Sequence, residues 1–346
     1  MVRVGAWLGA LGLWFCTAAS GQNFAEATAL LRPESDGCEM KRLRPQIAVR
    51  LARPVPSALL ANGLATLPGC ARERVIAWSL RPELDRLQHA FEREIHVRHA
   101  RAAGPDLLRL VDRLAEAASD SRDLLLAGTR LHSLYAFALL DEEDPAEARR
   151  EYAKARTYGH ALLAQPGLLA GAAPRTAAEM RLRLRGTKRG DVPALTWAAA
   201  AWGLDADARR DDPGALADQP LVEAVLARAI ELDERYYQAL PHLLLGRGLG
   251  SRSARLGGDP ARARVHFEAA LRLSGRRYLL AHVVFAKTYA VQAQDRKLFV
   301  ALLQEVLRAP RGLDPSQALA NAVARERAAR LLARVDELIL PDTEGK

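Results

Sequence analysis

Aromatic side chains are scarce in this chain: Phe, Trp and Tyr together make up 5% of 346 residues. A core with so few rings is built from Leu, Ala and Val. Ala and Leu are the best helix formers, whereas strands draw on aromatic and β-branched residues. No stretch alternates apolar and polar residues with period two, which excludes a substantial sheet. There is no G-x-S-x-G elbow, no Walker loop and no zinc-finger spacing. No segment beyond the N-terminus has the roughly 18 uncharged apolar residues that a membrane span needs. The chain therefore reads as all-α and non-enzymatic, with no metal and no cofactor expected.

What the sequence does contain starts with its N-terminus. Met1-Val2-Arg3 is a short positive start, Val4 to Phe15 is an apolar run, and Thr17-Ala18-Ala19 supplies small residues. That order reads as a secretory signal peptide over residues 1–21, and the mature protein is expected in the periplasm. Cys16 raises the alternative of a lipidated N-terminus. Bulky Phe15 stands where the lipoprotein signal wants a small residue, so simple cleavage is favoured over anchoring. Two cysteines then remain, Cys38 and Cys70. An oxidising compartment permits a bridge between them, closing a loop of about 32 residues, worth roughly 3–4 kcal/mol in the chain-entropy model. Two unpaired thiols are the alternative.

The formal charge is +9 and arginine supplies nearly all the basic residues. A basic balance can serve nucleic acid, an anionic surface or an acidic partner, but these charges are spread along the chain. The densest run, Arg181 to Arg189, has no interleaved aromatics, and export argues against nucleic acid.

Prolines 33, 45, 54, 56 and 68 break the first part of the chain. Residues 22–84 read as a Pro-rich extension, residues 85–340 as one helical domain, and 341–346 as a tail. Spacing and punctuation predict helices near 81–103, 106–118, 123–140, 145–163, 193–209, 219–232, 235–248, 260–273, 277–292, 294–307 and 315–339, with a short basic helix before Arg185. Gly104-Pro105 is read as a break. Three helices share a triplet: Ala148, Tyr152, Ala155; Val222, Leu226, Ala229; and Ala263, Phe267, Ala270. A small or medium residue, a large one four later and Ala three after that is the second-helix signature of tetratricopeptide-type pairs. The triplets begin 74 and 41 residues apart, unlike the strict repeat of about 34. Degenerate stacked hairpins in an α-α superhelix are expected.

Several phrases then carry a family resemblance. They are Asp191-Val192-Pro193-Ala194-Leu195 with Trp197 and Trp202-Gly203; Ala229-Ile230-Glu231-Leu232-Asp233 with Tyr236-Tyr237 and Gly246; and Leu256-Gly257-Gly258-Asp259-Pro260 with His266-Phe267 and Ala270-Leu271. Ala290-Val291-Gln292, Phe299, and Asn321-Ala322-Val323-Ala324 follow in order. Over roughly residues 85–340 the chain resembles the T-component family of TRAP transporters. It departs from that pattern at Cys16 and at Ser253-Ala254-Arg255. The resemblance implies a non-enzymatic periplasmic protein of hidden tetratricopeptide-like repeats, able to form homotrimers with a pore. It implies association with the substrate-binding P-component and a small organic or hydrophobic ligand. A general adaptor in envelope assembly, unrelated to transport, is the alternative.

Few residues stand out as chemistry. Glu92, Glu94, His96 and His99 are read as sharing one helix, but without a metal-ligand order they are a solvated polar face. Gly246, Gly248 and Gly250 lack the preceding strand of a dinucleotide site and are read as close helix packing. The candidates for ligand contact are Trp197, Trp202, Tyr236, Tyr237 and His242, which bring polar-tipped rings to an aliphatic domain, and Arg247, which could meet an acidic ligand.

Overall fold

Three α-helices of this protein begin where an aspartate meets a proline. Asp144 accepts the Glu147 N–H at 3.0 Å to cap α4 (Pro145–Leu163). Asp212 accepts the Gly214 N–H at 2.8 Å to cap α7 (Pro213–Asp233). Asp259 accepts the Arg262 N–H at 3.0 Å to cap α9 (Pro260–Leu273). The carboxylate satisfies an orphan donor, worth about 1 kcal/mol, and the proline loses nothing because its missing N–H had no helical partner.

The computed structural model describes residues 69–169 and 171–340. The signal segment, Cys16, Cys38, the Cys70 side chain, the extension up to residue 68 and the tail lie outside the described residues. No strand occurs among the described residues, and no helix there is long and apolar enough to cross a membrane.

The chain divides into two compact units. The smaller holds residues 69–86 and 105–124, drawn from α1 (Gly69–Glu92), α2 (Val97–Ala117) and the start of α3 (Arg122–Tyr135). Ala77, Leu84, Val111 and Leu114 are buried there, and Arg74 pairs with Asp120 and Arg81 with Asp123. The larger unit holds the rest. After α4 it continues through α5 (Ala177–Leu184), α6 (Val192–Ala208), α7, α8 (Tyr236–Gly250), α9, α10 (Leu279–Phe285), α11 (Arg296–Arg308), α12 (Ala318–Ala333) and α13 (Val335–Leu338). Within it α6 packs on α4 and α7, α8 on α7 and α9, and α12 on α10 and α11.

All nine triplet residues are buried, with Ala155, Ala229, Ala263 and Ala270 fully enclosed. The small positions admit a neighbouring helix and the large one fills the space between. Gly246 on α8 shows the same economy. A Cβ there would sit 3.1 Å from the Phe267 ring, so the glycine is a seat for that ring and not part of a phosphate loop.

Two readings of the sequence are corrected here. Gly104-Pro105 does not break a helix: α2 runs through it. Proline removes the N–H that the Arg101 carbonyl would have received, and the Tyr135 hydroxyl donates to that carbonyl at 3.2 Å instead. Gly104 makes room, because any side chain there would collide with the Tyr135 ring. The actual break lies at Arg93–His96, so Glu92, Glu94, His96 and His99 do not share one helix face. Glu94 caps the His96 N–H at 2.7 Å, and Glu92 turns inward to Arg130. No group of three or more metal-ligating side chains occurs among the described residues.

Three local distortions interrupt the expected helices. Wide π-helical turns follow α3 at Ala136–Leu140 and α10 at Ala286–Ala290. At the start of α8, Tyr237, Gln238 and Ala239 adopt left-handed backbone angles, with φ of 44°, 59° and 59°. For residues with a Cβ this costs about 1–2 kcal/mol each. Ala239→Gly is therefore expected to be close to neutral, since relief of strain offsets the lost methyl burial. Ala199→Gly, in the regular interior of α6, should cost about 1–2 kcal/mol. Urea unfolding of the two variants checks the contrast; equal losses would show that the turn at 237–239 is unstrained.

Candidate functional site

The two π turns face one cleft. Its volume is about 660 Å³, within the roughly 300–1,000 Å³ range of small-molecule sites. The first turn contributes Phe137, and Asp141 follows it; the second contributes Lys287 and Thr288. Tyr152 of α4, Asp207 near the end of α6, Arg247 of α8 and Arg327 of α12 complete the inner wall. π turns widen a helix by one residue and are frequent at functional sites.

The cations of this wall are held in place. Arg247 pairs with Asp207. Burial opposes its charge, but Asp207, Asp141 and Tyr152 more than offset this and hold the guanidinium above its ordinary value. Burial, followed by Asp141, pushes the Tyr152 phenol well up, and its O–H donates to Asp141 at 2.9 Å. Arg327 donates to the carbonyls of Phe137 and Ala138, which lie at a helix end where carbonyls lack intrahelical donors. Glu142 is buried in part, which would raise its pKa, yet Arg327 and Lys287 bring it down to about 2. It stays ionised and ties Lys287 at 2.8 Å and Arg330 at 2.9 Å.

Beside the cleft lies an aromatic cluster. The Trp197 indole N–H donates to the Tyr236 hydroxyl at 3.1 Å. Tyr237 meets Trp197 edge-on with centroids 5.2 Å apart, and meets Tyr278 at 6.5 Å. Arg130 lies over both the Trp197 and Tyr237 rings and pairs with Glu92, which also accepts from the Tyr237 hydroxyl at 3.3 Å. Burial pushes the Tyr236, Tyr237 and Tyr278 phenols up, so all three remain neutral donors. The left-handed turn at 237–239 is what aims Tyr237 into this cluster, while Gln238 is tied to Asp314 at 3.1 Å.

The six residues singled out from sequence fall into three places. Trp197 and Arg247 line a small apolar pocket of about 40 Å³, and Tyr236 and Tyr237 belong to the cluster around Trp197. Trp202 lies elsewhere on α6, donating to Asp218 at 2.8 Å and meeting His160 edge-on. His242 faces His266 across the α8–α9 contact, with the Nδ1 atoms 2.9 Å apart. Phe137, Asp141, Lys287 and Arg327 of the cleft, and Glu92, Arg130 and Tyr278 of the cluster, carry no local signal. They meet only in three dimensions.

A model of the TRAP transporter T-component family matches residues 94–339, most of the chain. The chain belongs to this family. The family expected from the ordered phrases is the one that matches, and a T-component is an accessory part of a TRAP transport system. No match is found among curated proteins. The cleft of this T-component lies inside the matched span, as does the aromatic cluster apart from Glu92, which precedes it.

The His242–His266 contact of the T-component yields a pH dependence. Burial lowers both imidazoles, and His242 and Arg262 bring His266 further down, to about 4. Glu234, 3.6 Å from His242, opposes the shift there, and Arg272 adds to it. An unfolded histidine holds its proton up to about 6.5. Between these values the unfolded chain binds more protons, so the contribution is complete above pH 6.5 and is lost as pH falls towards 4. His266 is only half-buried, which limits the effect to about 1–2 kcal/mol. Urea midpoints at pH 7 and pH ~4.5 should differ less in His266→Gln than in wild type. An unchanged difference would remove the pair as its source.

Proposed function

We propose that this T-component works in the periplasm, carried there by the signal segment 1–21, and that it binds the substrate-binding P-component of its TRAP system. The cleft between the two π turns takes the small organic or hydrophobic ligand exchanged with that partner. The observation that carries the reading is the cleft's composition. Paired cations and carboxylates line its wall, while Val283, Val284, Leu204 and Phe137 supply apolar surface. Such a wall orients a polar group and removes an apolar one from water.

Trp197, Tyr236, Tyr237 and Arg247 are the sequence candidates that this reading retains as ligand-facing or supporting residues. Trp202 and His242 serve helix packing. The buried triplets of α4, α7 and α9 support a tetratricopeptide-like superhelix, and a homotrimer is the expected assembly. Sedimentation of the mature chain with a candidate P-component tests the association. A joint boundary heavier than either protein alone is expected; two independent boundaries at micromolar concentration would sink the proposal.

A further inference from the structure

Three voids meet at one side chain. Phe137 lines the large cleft; it lines the apolar pocket of about 40 Å³ formed with Trp197, Leu240, Leu243 and Tyr278; and it lines a third pocket of about 20 Å³ against Tyr237, Glu92 and Gln317. Among the described residues no other side chain borders all three. The two inner pockets are each too small for more than about one or two water-sized groups. The first of them is almost wholly apolar.

Two guanidinium groups lie against the ring. The guanidinium carbons of Arg247 and Arg327 lie 5.7 and 5.2 Å from its centroid. Each is itself anchored, Arg247 by Asp207 and Arg327 by the carbonyls of Phe137 and Ala138. Phe137 also stands on the π turn, where the extra residue re-aims side chains relative to a regular helix. An aromatic ring held by two immobilised cations does not swing aside at the small cost of a free rotamer.

We propose that Phe137 is the depth stop of the cleft, a specificity-determining residue that sets how long an apolar segment the ligand can carry. The inference rests on the ligand-binding reading above. With the ring in place, an apolar chain ends at Phe137. Without it, the cleft and both inner pockets become one slot reaching towards Tyr237. A ligand with a compact apolar part fits the wild-type protein, and a long-chain amphiphile does not.

Calorimetric titration with straight-chain alkyl carboxylates, from butanoate to dodecanoate, is the test. Wild-type affinity should rise by about fourfold for each methylene buried and then level off. In Phe137→Ala the rise should continue to longer chains before levelling. Phe137→Leu, which keeps a large apolar side chain and guards against loss of folding in the alanine variant, should extend the series by one or two methylenes. The same levelling point in wild type and both variants would overturn the depth stop while leaving the cleft as a ligand site. No binding of any member to any of the three proteins would overturn the ligand reading and the depth stop together.

Discussion

Arg130→Met is expected to lower the unfolding free energy by about 3–5 kcal/mol. Its guanidinium lies over the Trp197 and Tyr237 rings and pairs with Glu92, whose side chain is 9% exposed. Removing the cation strands a buried carboxylate, and the cost of that stranded charge outweighs the net worth of the pair. The double variant Arg130→Met, Glu92→Gln should therefore recover more than half of the loss, because Gln can still accept from the Tyr237 hydroxyl. Urea unfolding of both single variants and the double variant measures the coupling. Additive losses would show that Glu92 is not isolated by the substitution and that the cluster is solvated.

Phe267→Ala is the second large effect, about 3–5 kcal/mol. Phe267 is the large member of the third triplet, 1% exposed, and stacks on Phe285 with centroids 4.6 Å apart and planes 15° from parallel. Its other side is the Gly246 backbone, which cannot move in to fill the gap without dragging α8. A cavity that cannot collapse costs the transfer free energy of the ring and the contacts of its lining. Leu307→Ala, at an exposed position of α11, should stay within about 0.5 kcal/mol. Thermal midpoints of the two variants separate the cases, and a small loss at Phe267 would mean the triplets do not carry the helix packing.

Much of the fold was legible because its causes are local. Asp-Pro pairs announce helix starts through one side-chain acceptor and one absent donor. The triplets announce buried faces through size alone, and Ala148, Tyr152 and Ala155 are as enclosed as their spacing implies. Where a distant residue decides, the sequence misleads. Gly104-Pro105 has the composition of a break, yet Tyr135, 31 residues further on, supplies the missing donor to Arg101 and occupies the space at Gly104.

The candidate site divides in the same way. Trp197, Tyr236 and Tyr237 stood out because rings are rare here, and they do lie together. Trp202 and His242 stood out for the same reason and lie apart, since rarity says nothing of position. Phe137, Lys287 and Arg327 look ordinary in sequence. They become a cleft only because two helices widen into π turns beside α12. The left-handed turn at 237–239 has no glycine to announce it, and it is held by contacts that Tyr237 and Gln238 make with Glu92 and Asp314, far along the chain.

On the proposed function, the cleft between the π turns holds a small molecule. Protein purified under native conditions from its own cells, then denatured and extracted for mass spectrometry, tests it most directly. A stoichiometric small molecule is expected in the wild type. Loss of that molecule is expected in Thr288→Trp, which fills the cleft from the second π turn, at an unchanged helical circular dichroism spectrum. An extract with no bound molecule from wild type, or one equally abundant in the filled variant, would contradict it.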